Sequence, residues 1–303
     1  LSVLVVSRTA GLLSQMLTTL KDALHLPGEE VEVLCSWNGS SEEETRIENT
    51  SNYEFLVANR APYHFASNMN ALADKANGEV LLLINDDVLL DANSVDAAIS
   101  CLNDHPSTGL VGARLRDSDG CLTHAGILFD RRHNPYHQLD RLVSSEHHAV
   151  LGDPRPVPAT TGAAMLIRRE HFQALGFNTD YRVCGEDVEL CLTLRRKLEL
   201  NVVYCPCFSG VHDGETTRSN EKDQTGDSED LTRLRGLHER FLNTTSKDQL
   251  RVELTANAIE ADVLRSTILT QKSNDKNWED QTHALQLTRL KLEQRLKQAQ
   301  RRA

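Results

Sequence analysis

The chain has 303 residues, of which 39% are hydrophobic and 25% charged, a composition typical of a globular protein with a sizeable core. Its formal net charge is -11, and the acidity lies in residues 1–242, because residues 243–303 carry 11 Lys/Arg against 8 Asp/Glu. This charge disfavours nucleic acid as a partner, and no run reaches the roughly 20 apolar residues of a membrane span. A phosphorylated ligand would need a local cation to bind here.

Strand and helix signals alternate over the first hundred residues. Apolar runs predict strands at "SVLVVS", "VEVLCSW", "YEFLVA" and "EVLLLI", and "FASNMNALADKANG" predicts a helix closed by Gly78. Another helix is predicted from the spacing of Leu12, Leu13, Met16, Leu17 and Leu20. The alternation indicates an α/β fold with a mainly parallel sheet that has helices on both faces.

The signals continue beyond residue 94 with longer irregular stretches. The sequence predicts a helix that ends at Pro106, a strand at "GLVGARLRD" and a hairpin arm at "GCLTHAGILFD". Residues 130–157 lack periodicity and predict a long surface loop. "PATTGAAMLIRREHFQALGFN" predicts a strand and a short helix, "GEDVELCLTLRRKL" an amphipathic helix and "NVVYCP" a strand. Residues 212–230 predict a mobile loop, and the pattern is helical from Leu231 onward.

The cysteines and the first residue bear on cellular context. Seven scattered cysteines indicate mostly buried thiols in a reducing compartment, for which the cytoplasm fits best. The chain begins with Leu inside a strand-like run and shows no secretory signal. We expect it to be a piece of a longer polypeptide.

Polar residues follow two of the predicted strands directly. Asp86 and Asp87 come after the buried run "EVLLLI", and Asn38 follows "VEVLCSW". The carboxyl ends of parallel strands share one edge of a sheet, where ligands bind in such folds. Adjacent carboxylates there are costly unless a cation or a ligand's polar groups meet them. The alternative is a turn whose Asp side chains accept from the next backbone amides.

Two further candidates lie in the second half of the chain. Glu186 and Asp187 stand at the start of a predicted helix, and His212 follows a predicted strand. Acids at a helix start are also explained by the helix dipole, and a lone histidine is commonly packed or surface-exposed. Each signal is weak when taken separately.

Taken in chain order, these segments resemble a known family. "INDDV", "TGAAMLIRREHFQALGFN", "GEDVELCLTLRR" and "VHDG" resemble the motif series of family 2 glycosyltransferases, which are inverting enzymes with a GT-A fold. "FASNMNALADKANGEVLLLINDDV" and "GCLTHAGILF" are similar to bacterial members that build cell-surface polysaccharides. The resemblance implies a GT-A domain over residues 1–230, with a nucleotide-sugar half to about residue 115 and an acceptor half beyond it. A helical extension would follow over residues 231–303.

The resemblance also implies a role for each matching residue. Asp87 would hold a divalent metal, Mn²⁺ or Mg²⁺, on the donor's diphosphate, and His212 would add a ligand to it. Asp86 would meet the ribose of the nucleotide. Asp187 would be the general base, and Glu186 would help to position the acceptor. The remaining candidate donor contacts are Arg8, Trp37, Asn38, Asn70 and Gly162, of which Asn70 could instead be a helix-surface residue and Gly162 a strand bend.

The sequence departs from the family pattern in its first two loops. Trp37 stands where the family usually has an Asp that reads the nucleobase, and its indole could stack on the base or simply pack. The identity of the nucleotide therefore stays open. The loop of Ser7 to Ala10 is shorter than usual, although Arg8 could reach a base or phosphate.

Elementary chemistry agrees with these implied roles. A nucleoside diphosphate leaving an anomeric carbon gains negative charge, which a hard cation on oxygen and imidazole ligands neutralises, and a carboxylate can take the acceptor's proton. We therefore expect an inverting, metal-dependent hexosyl- or deoxyhexosyltransferase that moves a sugar from a UDP- or dTDP-linked donor to a growing glycan or lipid-linked glycan. The cytoplasm, or the inner face of the membrane, is its expected place. The C-terminal helices are candidates for homo-oligomer formation or peripheral membrane contact.

Two rival functions follow from the same residues. A glycoside hydrolase would also use paired carboxylates, but it gives no reason for the nucleotide-pocket motifs. A non-catalytic scaffold with a degenerate transferase domain and an interacting tail is the alternative from another class, and Trp37 is its best support.

Overall fold

The structure is a computed structural model that describes residues 1–213 and 225–270. Its strands are β1 (Ser2–Ser7), β2 (Glu32–Trp37), β3 (Glu54–Asn59), β4 (Val80–Asn85), β5 (Leu89–Leu90), β6 (Thr108–Arg116), β7 (Leu122–His124), β8 (Ile127–Phe129), β9 (Pro135–His137), β10 (Arg155–Pro156), β11 (Ala164–Arg168) and β12 (Asn201–Val211). Its helices are α1 (Ala10–Ala23), α2 (Ser41–Glu44), α3 (Phe65–Ala73), α4 (Ser94–Asp104), α5 (Arg169–Leu175), α6 (Glu186–Lys197), α7 (Thr225–Thr244) and α8 (residues 247–270). A short 3-10 turn lies at Gly28–Glu30.

The central sheet is mixed and mainly parallel over its principal strands, as the sequence predicts. Within the described residues it has ten strands, with the order β10-β12-β6-β11-β4-β1-β2-β3 along the main path. β1 pairs in parallel with β2 and β4, β2 with β3, and β6 with β12. β11 runs antiparallel between β4 and β6. Because β1, β2 and β4 point the same way, their carboxyl ends open at one edge of the sheet.

The core lies between this sheet and the helices on its faces. β1 and β4 are buried along almost their whole length, as expected of strands covered on both faces. α1 contributes the residues predicted from their helical spacing, and Leu13, Met16, Leu17 and Leu20 are fully buried against the strands. The apolar periodicity of the first hundred residues therefore corresponds to real packing.

Two local predictions are corrected by the structure. α3 ends at Ala73 with Asp74 as its cap, so Gly78 does not close it; instead Gly78 lets the chain pass against the backbone of Ser2. The predicted loop of residues 130–157 contains β9 and β10 and buries Leu139 and Val150 completely. Strand pairs of two or three residues are too short to show a periodicity, which explains this miss.

The C-terminal prediction is partly tested. Residues 225–230 belong to α7 and are not part of a loop, whereas residues 214–224 lie outside the described residues. The helical pattern predicted from Leu231 is confirmed to residue 270, with a break at residues 245–246. The leucine row near the end and the basic stretch lie in residues 271–303, which the structure does not describe. Residues 1–257 form one compact unit, and the contacts reported below all lie within it.

The described residues also bear on the predictions about the cysteines and about membrane-spanning segments. All seven cysteines lie in the described part of the chain and are free thiols, four of them buried and Cys121 and Cys207 exposed. The helices of residues 1–213 and 225–270 include none with the length and hydrophobicity of a membrane-spanning segment.

Candidate active site

The end of β4 places two carboxylates at the edge of the sheet. The strand residues Leu81 to Ile84 are fully buried, and the chain turns immediately after Asn85, whose carbonyl accepts from the Val88 amide at 3.3 Å. The Asn85 amide donates to the Ala163 carbonyl at 2.9 Å, so this turn lies beside the residues that precede β11. Strand burial on one side and the turn on the other therefore fix where Asp86 and Asp87 lie.

Asp86 is held at the bottom of this edge by its neighbour from β1. Ser7 Oγ donates to Asp86 Oδ2 at 2.6 Å. Burial raises the pKa of the Asp86 carboxyl to about 6, against the lowering effect of the Ser7 hydrogen bond and with a further rise from the adjacent Asp87 charge. A buried carboxylate of this kind gains from every additional hydrogen-bond donor, such as a ligand hydroxyl.

Asp87 meets His212 at the same edge. His212 Nε2 lies 3.2 Å from Asp87 Oδ1, and the two side chains are 19% and 10% exposed. The short strand β5 brings them together, because its Leu89 pairs with Val211 of β12. The His212 amide also donates to the Arg116 carbonyl at 2.8 Å, which fixes the end of β12. Residues 125 positions apart in sequence thus present one oxygen and one imidazole nitrogen side by side.

Helix α6 contributes the second pair of acids. Asp187 lies in its first turn, and Asp187 Oδ2 accepts from the Gly162 amide at 2.7 Å while Oδ1 accepts from the Val188 amide at 2.7 Å. A Cβ atom on residue 162 would lie 3.4 Å from Asp187 Cβ, which is ordinary van der Waals contact, so this approach does not by itself require glycine. Glu186 beside it is 9% exposed. Helix α6 is therefore tied directly to the segment that precedes β11.

One cavity of about 780 Å³ joins these groups. Its size suits a ligand larger than a single monosaccharide, within the usual range of small-molecule sites. Aromatic and basic side chains, including Tyr63, Arg141 and Arg182, complete its wall. The predicted residues that line it are Arg8, Asp86, Asp87, Gly162, Glu186, Asp187 and His212.

Three predicted donor contacts do not line this cavity. Trp37 is 2% exposed, and its indole NH donates to the Ser40 carbonyl at 3.1 Å, so the ring packs inside the core. The Asn70 amide bridges the backbone of Phe177, donating to its carbonyl and accepting from its amide, both at 2.9 Å. Asn70 therefore links α3 to the turn after α5 and has the structural role of a backbone clamp.

Asn38 is the third predicted donor contact that does not line the cavity. Its side-chain nitrogen donates to the Ala61 carbonyl, and its backbone amide donates to the Ser7 carbonyl at 2.8 Å. Its Oδ1 is buried and has no hydrogen-bond donor among the described residues. The amide thus sits at the carboxyl end of β2, as predicted from the sequence, although it is not on the cavity wall.

Sequence reasoning missed two side chains that support the site. Ser7 is the residue that donates to Asp86, and its position at the end of β1, next to β4, could have indicated this. His124 lies on the cavity wall and is fully buried, with Nε2 2.9 Å from Thr160 Oγ1. Burial holds the pKa of His124 well below its usual range, and the nearby His137 adds to this lowering.

The residue types at the Asp87 and His212 pair fit a divalent cation. Oxygen and imidazole ligands suit Mn²⁺ or Mg²⁺, which retain further positions for water or phosphate oxygens. Among the described residues no cluster of three or more His, Cys, Asp or Glu side chains could hold a metal by itself. Such a cation would therefore take its remaining ligands from a bound diphosphate or from water.

Comparison with known proteins identifies the class. The chain matches the glycosyl transferase family 2 over residues 2–176, and it belongs to that family. It is 33% identical over 138 residues to the O-antigen biosynthesis protein RfbC of Myxococcus xanthus, a match that covers 44% of this chain and 11% of that protein. The chain spans less than half the length of the curated relatives that it matches.

Solved structures show the fold independently. A mannosyltransferase from Pyrobaculum calidifontis in complex with GDP-Man and Mn²⁺ superposes with a TM-score of 0.53 at 15% identity, over 90% of this chain and 79% of that one. TarS 1-349 of S. aureus in complex with UDP-GlcNAc superposes with a TM-score of 0.56 at 14% identity, over 87% and 71% of the two chains. The fold is the GT-A glycosyltransferase fold predicted from the sequence, with additional C-terminal helices.

Proposed function

We propose that this protein is an inverting, metal-dependent glycosyltransferase that moves a sugar from a UDP- or dTDP-linked donor to a hydroxyl of a growing surface glycan. The observation that carries the proposal is the shared cavity, in which the Asp87 and His212 pair and the Asp187 carboxylate are both exposed to one ligand-sized space. Membership of glycosyl transferase family 2 supports transfer over hydrolysis.

The residues at the carboxyl ends of the parallel strands would bind the nucleotide-sugar donor. A bound divalent cation supplies neutralisation of the charge that grows on a leaving diphosphate. Asp87 and His212 would hold that cation, and Asp86 would accept a hydrogen bond from a ribose hydroxyl. Arg8 is an exposed cation on the same cavity wall and would meet a phosphate or the base. An acidic chain requires such local positive charge before it can bind a diphosphate.

The acceptor end centres on Asp187. Its two oxygens accept hydrogen bonds from backbone amides, which hold the carboxylate in one orientation without neutralising it. A carboxylate fixed in this way would take the proton of the attacking hydroxyl. A single displacement at the anomeric carbon inverts its configuration, and it needs one base and no second protein nucleophile. Glu186 is the neighbouring acid and would position the acceptor.

The relatives bear on the acceptor class. RfbC of Myxococcus xanthus is named for O-antigen biosynthesis, which agrees with a surface glycan or lipid-linked glycan as acceptor and with a bacterial polysaccharide pathway.

The scaffold alternative is testable by donor binding. The burial of Trp37 removes the indole from the cavity, so nucleobase contacts would come from other residues of the wall. A thermal-shift series with UDP, dTDP and GDP, each with and without Mn²⁺, separates the two functions. A transferase gains stability by mass action only when nucleotide and metal are both present, whereas a scaffold shows no metal-dependent rise. Asp87→Ala is the matched control and should abolish the metal-dependent part.

A further inference from the structure

A carboxylate from the C-terminal helices binds the turn that precedes helix α6. Asp230 of α7 is 2% exposed, and its Oδ2 accepts from the backbone amides of Arg182 at 3.1 Å, Val183 at 2.8 Å and Cys184 at 3.3 Å. Three successive amides directed at one anion form an anion-binding nest, which here is filled by a side chain of the protein itself.

Neighbouring residues of α7 pack on the same turn. Leu234, one helical turn beyond Asp230, is 1% exposed, and a Cβ atom on Gly185 would lie 2.6 Å from its Cδ1. Arg233 lies over the Tyr181 ring at 5.5 Å and forms an ion pair with Asp180 at 3.2 Å. Helix α7 thus holds residues 180–185 by a buried charge, an apolar contact and an exposed ion pair. We call this set the α7 clamp.

The clamped turn leads directly into the candidate base. Gly185 is the N-cap of α6 and adopts φ +115°, a conformation that side chains rarely reach, and no side chain caps the helix at this residue. Asp187 follows two residues later, and its carboxylate accepts from the Gly162 amide. The direction in which α6 starts is therefore set on one side by Gly162 and on the other by Asp230.

The same turn forms part of the cavity wall. Arg182 and Val183, whose amides Asp230 binds, line the cavity together with Asp187. Catalytic constellations must be held within about 0.5 Å of their productive geometry, so a contact that orients this turn acts on the reaction.

We propose that Asp230 is a positioning residue for the transfer reaction, which sets the orientation of Asp187 through the turn of residues 182–185. The C-terminal helix α7 is then part of the catalytic unit, and it lies outside the family match of residues 2–176. The domain boundary predicted after residue 230 would cut through the α7 clamp. This proposal rests on the proposed function, because it requires Asp187 to be the base.

The test is a double-mutant cycle between Asp230 and Asp187. Asp230→Asn keeps the size of the side chain and one acceptor oxygen, so the protein should fold, which circular dichroism verifies. Turnover is measured as release of nucleoside diphosphate from UDP-GlcNAc, GDP-mannose and dTDP-rhamnose with Mn²⁺, using the donor that binds. We expect Asp230→Asn to lower kcat on the order of 10- to 100-fold, because small misplacements of a catalytic group have effects of this size. Donor affinity from calorimetry should stay within about twofold, since the metal and ribose contacts lie elsewhere.

The cycle distinguishes positioning from general destabilisation. In an Asp187→Asn background, Asp230→Asn should cause no further loss of kcat, because the group that it orients is already gone. An equal loss in both backgrounds overturns the proposal. Glu239→Gln is the matched control, since Glu239 is an exposed carboxylate on the same helix, and its kcat should equal that of the wild type.

Hydrogen exchange supplies a readout that does not depend on activity. The amides of residues 182–184 should exchange faster in Asp230→Asn than in the wild type and in Glu239→Gln. Unchanged exchange at these amides would overturn the clamp itself. If instead Asp187→Asn alone retains full turnover, the proposed function loses its base, and that result is separate from the exchange result.

Discussion

The backbone amide of Gly162 donates a 2.7 Å hydrogen bond to the carboxylate of Asp187, which joins the start of helix α6 to the segment before β11. Asn85, at the end of β4, is hydrogen-bonded to Ala163 in that same segment. The candidate base and the turn that carries Asp86 and Asp87 are therefore connected through two consecutive residues, Gly162 and Ala163.

Replacing Asp187 should separate catalysis from binding. Asp187→Asn keeps the shape and an acceptor for the Gly162 amide, but an amide cannot take up a proton at neutral pH. Turnover should fall by a factor on the order of 10² to 10⁴, the usual contribution of a positioned general base. Nucleotide affinity in the presence of Mn²⁺, measured by calorimetry, should stay close to that of the wild type.

The matched control for this substitution is Asp153→Asn, because Asp153 is an exposed acid away from the cavity. It should be fully active. Glu186→Gln should lower activity less than Asp187→Asn and act partly through the acceptor KM, as expected of a positioning residue. An Asp187→Asn protein with wild-type turnover would remove Asp187 from the mechanism.

Removing either candidate metal ligand should weaken nucleotide binding only when metal is present. Asp87→Ala and His212→Ala should each lower UDP or dTDP affinity with Mn²⁺ by at least roughly 10- to 100-fold. Loss of a residue that only supports a metal ligand typically costs this much, and loss of a direct ligand should cost no less. A chelator should have the same effect on the wild type and little on the variants. Calorimetry measures all of these, with His105→Ala as a control at an exposed histidine. Equal binding with and without chelator would show that the pair holds no metal.

The sequence was sufficient to predict the parts of the site that follow directly from strand ends. An apolar run followed by Asp86 and Asp87 indicates a buried strand and a polar edge, and parallel pairing with β1 places that edge beside Ser7. Fold class could be predicted for the same reason, since alternating periodicity reflects burial on both faces of a sheet.

Other contacts could not be predicted because they depend on pairings without a local signal. His212 reaches Asp87 through β5, a strand of two residues, so the family resemblance predicted this pair and the local sequence pattern did not. Asn70 binds the backbone of a residue 107 positions away, and helical spacing cannot show whether a surface amide faces solvent or a loop. Asp230 lies in a polar stretch that predicts a loop, and its partners are 46 to 48 positions away.

The attachment of the C-terminal helices should depend on pH through a buried ion pair. Arg195 of α6 has a completely buried side chain, and its Nη1 donates to Glu253 Oε1 of α8 at 2.7 Å and to the Pro158 carbonyl at 2.8 Å. Burial alone would raise the pKa of Glu253, but the nearby His238 and the Arg195 guanidinium outweigh it, so the pKa lies below its usual value. A carboxyl group with a lowered folded-state pKa contributes stability that is present above its unfolded pKa and is lost as the pH falls through the folded value.

Glu253→Gln tests this contribution. At pH 7 the variant should be about 3 to 5 kcal/mol less stable than the wild type, because it leaves the buried Arg195 charge without a counter-ion. The difference should begin to shrink near the ordinary pKa of glutamate, about 4.3, and continue to shrink below it. Urea unfolding measured from pH 7 to pH 3 gives the stability difference at pH 7 and its decrease at lower pH, with Glu239→Gln as the control. A difference that stays constant across this range would contradict the assigned role of the Glu253 charge.

Gly185 should be more sensitive to substitution than an open glycine that also has a positive φ. Gly185 has φ +115°, and an added Cβ would meet Leu234 at 2.6 Å and Tyr181 at 2.9 Å, whereas Gly120 has φ +82° with no atom within 4 Å of its added Cβ. Gly185→Ala therefore combines backbone strain with overpacking and should destabilise the protein by about 2 to 4 kcal/mol. Gly120→Ala carries the strain alone and should cost about 1 kcal/mol. Urea unfolding of the two variants compares a crowded glycine with an open one, and equal losses at the two positions would show that the contacts with Leu234 and Tyr181 add no cost at the start of α6.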